Sequence, residues 1–200
     1  LKNKTIKAVG APEERFAEDP LRVMRMIRFS CLRGFSISEE TYLAANKFIA
    51  DLKNVSLERV RDELIKILVS DEPAKGFNQM AELGILKLFL PEIDKTIGFE
   101  QNEYHKDDVY QHTMEVLSKT ESDLVLRLSA LLQDIGKTET LSIDPLSNSR
   151  HFFKHEIVGV DVAKKMLKRL KFPNAVIEDV SILISTQERL PLLTYLFFRI

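Results

Sequence analysis

Leu21, Met24, Ile27 and Cys31 recur at three- and four-residue intervals between Pro20 and Gly34, a spacing that lines all four along one face of a helix. Asp19-Pro20 stands ahead of the stripe as a start signal: a carboxylate able to accept backbone N–H groups, then a residue whose fixed φ suits the first helical position. Gly34 stands behind it as a stop. The pattern recurs along the chain. Ser38 opens a helix expected to run to Ala50, and Ser56 opens another with Val60, Leu64, Ile67 and Leu68 as its apolar stripe, Arg59 and Glu63 forming an i,i+4 pair. A further helix is expected from Gly76 to Leu83, ended by Gly84. Beyond Glu156 come a helix built on Val158, Val162, Met166, Leu167 and Leu170, then one from Asn174 to Ser185. Two-residue alternation is scarce, so the expected fold is all-α, with any strand confined to the first ten residues, at Thr5 to Val9. Loops are expected at Gly98 to Asp108 and Ser142 to Arg150, and a domain seam near Pro91 to Gly98.

Composition bounds the class without choosing a function. With 44% hydrophobic and 30% charged residues the chain is ordinary for a globular protein, and a net charge of −1 gives no bulk attraction for nucleic acid, so only a local basic stripe can serve. No apolar run approaches a membrane span; the short final stretch, Leu192 to Ile200, is expected to be core or contact. The single cysteine, Cys31, cannot form an internal disulfide and fits a small core residue in a reducing, cytoplasmic setting. Leu1-Lys2-Asn3-Lys4 is neither a signal peptide nor an initiator start, so a piece of a longer chain is expected.

The helix start also carries chemistry. Arg22 lies three positions after Asp19, so a carboxylate and a guanidinium can lie side by side beyond the helix end. Cytosine and adenine each present an amine donor beside an acceptor ring nitrogen; guanine and uracil present a carbonyl beside a ring N–H. A carboxylate accepts and a guanidinium only donates, so the pair can hold C or A and leave G or U mispaired, at roughly 1–3 kcal/mol per unmade buried bond. The plainer alternative is a cap and a solvated arginine. Arg25 and Arg28 continue the row largely off the apolar stripe, where they can follow a phosphate backbone or simply face solvent.

The string from Ala8 to Arg22, with Arg28-Phe29 and Gly34-Phe35, resembles the neck of class II tRNA nucleotidyltransferases, the CCA-adding enzymes and bacterial poly(A) polymerases. In that family a Glu-Asp-x-x-Arg string is the protein template that selects CTP and ATP; the resemblance implies nucleotide-binding roles for Glu18, Asp19 and Arg22. Ser56-Leu57-Glu58-Arg59-Val60-Arg61-Asp62-Glu63-Leu64 is similar to a family motif that braces the template helix, which implies a supporting role for Glu58 and Arg59. Without the resemblance, a surface ion pair is the default.

All four histidines, His105, His112, His151 and His155, fall in the second half, together with Gln133-Asp134-Ile135-Gly136-Lys137. This stretch resembles the helical domain of HD-type phosphohydrolases, which bind a divalent metal through histidine on one helix and an adjacent His-Asp pair on the next. Gln133 stands where that pattern has histidine, and an amide is a poor substitute for imidazole. His112 and Asp134 are the remaining candidate ligands, but no metal is expected here, the favoured alternative being internal hydrogen bonds. His151 and His155 are four residues apart, with Phe152-Phe153 suggesting a loop entering a helix. Lys164, Lys165, Lys168, Arg169 and Lys171 make the densest basic patch, suited to RNA or simply to a helix C-terminus.

The resemblance therefore implies residues 1–10 as the end of a missing head domain, 11–95 as a neck and body bundle, and 96–200 as an HD-type helical domain. It implies part of an enzyme that adds C and/or A to the 3′ end of tRNA or another RNA, with CTP and ATP as partners, no membrane, and Mg²⁺ held in the head rather than by this segment. The alternatives are a metal-dependent HD-type phosphohydrolase and a non-catalytic RNA-binding module.

Overall fold

Helices dominate both halves of the chain, as the apolar stripes predict. The computed structural model describes residues 4–101 and 107–186; His105 and the apolar end from Leu192 to Ile200 lie outside the described residues. Contacts divide the chain into two compact units, Leu1–Phe89 and Leu90–Ile200.

The first unit runs β1 (Thr5–Ile6), α1 (Pro12–Glu18), α2 (Arg22–Ser30), β2 (Ser36–Ile37), α3 (Glu39–Asn46), a 3-10 turn (Ala50–Asn54), α4 (Leu57–Leu68), α5 (Pro73–Glu82) and α6 (Ile85–Phe89). Leu21, Met24, Ile27 and Cys31 are all buried, and so are Val23 and Met26. The buried face is wider than the stripe because α2 packs against α1, α4 and α5 together. A central helix buries more than one side. Cys31 donates its thiol to the Ile27 carbonyl at 3.2 Å, and burial pushes its pKa up, consistent with a packing rather than a reactive role.

Two boundaries differ from the sequence expectation for stated reasons. The helix expected at Gly76 starts at Pro73, where proline fills the first helical position, and Gly76 lies inside it. A Cβ on Gly76 would meet Ile67 Cγ2 at 2.6 Å and Cys31 Sγ at 2.7 Å, so glycine is what lets α5 approach α4 and the end of α2. The helix expected from Ser38 to Ala50 ends at Asn46 and is followed by the 3-10 turn. Ser38 holds the N-cap position, but its hydroxyl bonds Thr41 Oγ1 at 2.9 Å instead of a backbone N–H.

The second unit runs α7 (Pro91–Asp94), α8 (Val109–Lys119), α9 (Leu124–Leu132), α10 (Lys137–Thr140), β3 (Ser142–Ile143), β4 (Arg150–His151), α11 (His155–Arg169) and α12 (Asn174–Thr186). Asp108 and Asp123 cap α8 and α9, accepting Gln111 N–H and the N–H groups of Val125 and Leu126. Helix α9 packs against α8 and α12, and α11 against α10 and α12.

Strand is not confined to the first ten residues. β2 pairs in parallel with β1, Thr5 opposite Ser36 and Ile6 opposite Ile37. β3 and β4 form an antiparallel hairpin inside the stretch expected to be loop. Each strand is two residues long, so these pairings are ties between loop segments and not a sheet layer. In the hairpin turn Asp144 Oδ1 accepts the N–H groups of Leu146 and Ser147, which holds its pKa below the usual carboxylate range.

Candidate nucleotide and RNA interface

Glu18 ends α1, Asp19 lies in the turn that follows, and Arg22 begins α2. The helix starts later than Asp19-Pro20 suggests, since Asp19 Oδ1 accepts the Leu21 N–H at 3.2 Å in a turn and Arg22 is the first helical residue. The side-by-side pair expected between Asp19 and Arg22 is replaced by two others. Arg22 Nη1 donates to Glu18 Oε2 at 2.8 Å and to the Arg15 carbonyl at 3.0 Å. Asp19 Oδ2 accepts from Arg59 Nη2 at 2.9 Å, with Arg25 at 3.9 Å. The physical reason is the turn: Glu18 and Arg22 flank it, while Asp19 is turned toward the first turn of α4.

Glu18 is clamped from both sides, Arg15 Nη1 donating to Oε1 at 3.1 Å. The hydrogen bonds from Arg22 and then Arg15 hold its carboxyl below the ordinary carboxylate value. Arg15 Nε in turn donates to the Val9 carbonyl at 2.9 Å, fixing the chain that leads into α1.

Arg59 does not pair with Glu63. Glu63 is buried, and it takes Arg28 Nε at 2.8 Å, Lys66 Nζ at 3.0 Å and Arg25 Nε at 3.7 Å. Arg25 thus stands between Asp19 and Glu63, so α2 and α4 are joined by a run of alternating charges. Glu58 lies exposed in the first turn of α4. Arg28 also stacks over Phe29, 4.2 Å from the ring centroid.

Beside these residues is a cavity of about 370 Å³ whose lining includes Lys7, Arg15, Phe16, Arg22, Arg25 and Phe29. Four cations and two aromatic rings around a space of this size suit a small anionic ligand with a flat apolar part. Spacing alone does not single out Arg15, Glu63 and Lys7 as site residues: Arg25 and Arg28 reach Glu63 from another helix, and Lys7 and Arg15 join the cavity from segments outside α2.

In the second unit Lys164, Lys165 and Lys168 lie exposed on α11. Arg169 is committed elsewhere, its Nη2 lying 2.8 Å and 2.6 Å from the two oxygens of Glu92.

The histidine cluster gathers around a buried Asp134. His112 Nε2 lies 3.8 Å from Oδ2 and His155 Nε2 3.6 Å from Oδ1. His155 Nδ1 lies 3.0 Å from the Phe152 carbonyl, a contact in which the ring must donate, and this fixes Nε2 toward Asp134. His151 instead stacks on Phe153, centroids 5.2 Å apart. Lys137 Nζ lies 3.0 Å from Asp134 Oδ1 and donates to Gln101 Oε1 at 2.8 Å. Imidazole and carboxylate are a metal-ligating set, but an ammonium beside the carboxylate and an amide at Gln133 do not fit a divalent ion. Among the described residues no group of three His, Cys, Asp or Glu side chains is arranged to hold a metal. None of their helices is long and apolar enough to cross a membrane.

Residues 34–97 match the family described as "Probable RNA and SrmB- binding site of polymerase A". The chain is 36% identical over 194 residues to the A-adding tRNA nucleotidyltransferase of Deinococcus radiodurans, a match covering 92% of this chain and 44% of that protein. It is 31% identical over 194 residues to the CC-adding tRNA nucleotidyltransferase of Thermus thermophilus, covering 92% and 45%. The chain thus spans less than half the length of these relatives. The fold is similar to the Bacillus stearothermophilus CCA-adding enzyme crystallised with CTP, with a TM-score of 0.58 and 21% identity over 95% of this chain and 40% of that one. Matched in sequence along nearly its whole length and in fold, the chain belongs, as a segment, to the tRNA nucleotidyltransferase and poly(A) polymerase family.

Proposed function

We propose that this chain is the nucleotide-selecting and RNA-binding portion of an enzyme that adds C and/or A nucleotides to the 3′ end of tRNA or another RNA. The observation that carries the reading is the cavity lined by Arg15, Phe16, Arg22, Arg25 and Phe29, in which Arg22 is held by Glu18 and Arg25 lies 3.9 Å from Asp19. Arginine and lysine there suit the triphosphate, and an aromatic ring suits the base. Asp19 accepts and Arg22 donates, the pattern that favours cytosine and adenine. Glu18 holds Arg22 and Arg59 holds Asp19, so each reader has its own anchor. Pre-set donors and acceptors reject the wrong base because a mispaired group stays unsatisfied.

In this reading residues 1–10 end a head domain, 11–95 form the neck and body, and 96–200 form an HD-type domain that contributes RNA contact through α11. Transfer of the nucleotide needs carboxylates that hold metal ions across the attacking hydroxyl and the leaving pyrophosphate. We assign those carboxylates and their Mg²⁺ to the head, and the whole enzyme to the cytoplasm. A hydrolytic role is disfavoured by Lys137 at Asp134.

The test is incorporation by the full-length protein on tRNA ending before its terminal C-C-A, after C, and after C-C, with each nucleoside triphosphate separately. Incorporation of C or A, with G and U excluded, is the expected result. Equal use of all four nucleotides, or none, contradicts it.

A further inference from the structure

Asp134 is nearly enclosed, and an enclosed carboxylate needs a counter-charge. Two imidazoles face it, His112 from α8 and His155 from α11, the donor types that hold divalent cations. The charge in contact with Asp134 is nonetheless a side chain three positions along the chain, the Lys137 ammonium at the start of α10. Its own surroundings are built to keep it there. Gln101 Oε1 accepts a second Lys137 proton, and the Phe152 ring lies 6.0 Å from Nζ.

The backbone enforces the arrangement. A Cβ on Gly136 would collide with the His155 carbonyl and lie 2.6 Å from Gly159 N, so the turn that joins Asp134 to the start of α10 rests directly on α11. The Lys137 side chain is 13% exposed and that of Asp134 8%, which leaves the pair little access to solvent.

We propose that the Lys137 ammonium has taken over the part a divalent cation would play in this histidine–aspartate cluster. It neutralises Asp134 and leaves the cluster a closed structural centre that takes up no metal and does no metal-dependent phosphodiester hydrolysis. These residues are separate from those that read the nucleotide, so either proposal can fail without the other.

The test uses the full-length protein, stripped with chelator and dialysed against Mn²⁺, Ni²⁺ and Zn²⁺ in turn. Well under one equivalent should be retained through Asp134, so that Asp134→Asn leaves the metal content unchanged. No metal-stimulated hydrolysis of bis(p-nitrophenyl) phosphate that Asp134→Asn removes is expected either. Gln133→His alone should remain metal-free, because the ammonium is still in place. A tightly held equivalent lost on Asp134→Asn, in the unaltered protein or in Gln133→His, overturns the proposal. A second arm measures thermal midpoints of Lys137→Met, Asp134→Asn and the double variant. Either single change should lower the midpoint by leaving a buried partner unpaired, while the double change should lower it by less than the sum. Strict additivity contradicts the proposal; where a single variant fails to fold, a folded double variant supports it and an unfolded one contradicts it.

Discussion

Arg59 donates to Asp19 at 2.9 Å from forty residues away in the chain, so the first turn of α4 sets the carboxylate that lies between α1 and α2. The Arg59 side chain is 49% exposed, and an exposed pair of this kind contributes about 0–1 kcal/mol to stability. Its importance is therefore positional. Arg59→Ala in the full-length enzyme should leave the thermal midpoint nearly unchanged while weakening discrimination between CTP or ATP and the other two nucleotides. Unchanged relative kcat/KM values would remove Arg59 from the support of Asp19.

Glu18 gives a pH dependence with a definite sign. Its folded-state pKa is depressed by Arg22 and Arg15, so the stabilisation is fully present above the unfolded value, about 4.3, and is lost as pH falls through the lower folded value. A carbon-detected NMR titration of the Glu18 carboxyl should show it ionising below the ordinary range, and Arg22→Ala should move it back toward that range. Titration at or above the ordinary value in the unaltered protein would contradict the clamp.

The α11 cations divide into two kinds. Replacing Lys164, Lys165 and Lys168 together by alanine should weaken RNA binding for all sequences alike and flatten the dependence of log K on log salt, by about 0.7–0.9 for each phosphate that is no longer neutralised. Arg169→Ala should instead lower stability by freeing Glu92, with little change in the salt slope. Equal salt slopes for the triple variant and the unaltered protein would rule out a phosphate-binding role for these lysines.

What was legible in the sequence follows from how local each interaction is. Helix α2 was readable because Leu21, Met24, Ile27 and Cys31 carry their period within one element. The partner of Asp19 was not, because i,i+3 spacing points to Arg22 whereas the turn sends Asp19 to an arginine on α4. Glu63 escapes a local reading for the same reason: its cations come mainly from α2, not from Arg59 on its own helix. His112, Asp134 and His155 could be named, but His155 reaches Asp134 only because Gly136 lies against Gly159, a close approach that no local pattern displays. The hairpin at Ser142–His151 left a faint trace in Asp144-Pro145 and in Asn148, which takes a positive φ of 57°.

If Asp19 and Arg22 read the incoming base, their removal must alter nucleotide choice and not folding alone. Asp19→Ala removes a turn acceptor as well as a reader, leaving the Leu21 N–H and Arg59 without their carboxylate, so stability and selection would change together. Arg22 gives the cleaner experiment, since its side chain makes only exposed contacts, to Glu18 and to the last-turn Arg15 carbonyl of α1, whose loss costs little stability. The decisive measurement is relative kcat/KM for CTP, ATP, GTP and UTP in the full-length enzyme carrying Arg22→Ala. Base reading predicts that the preference for CTP and ATP collapses while the protein stays folded; selection of C and A at the original ratio would contradict it and leave Asp19 as a structural turn residue.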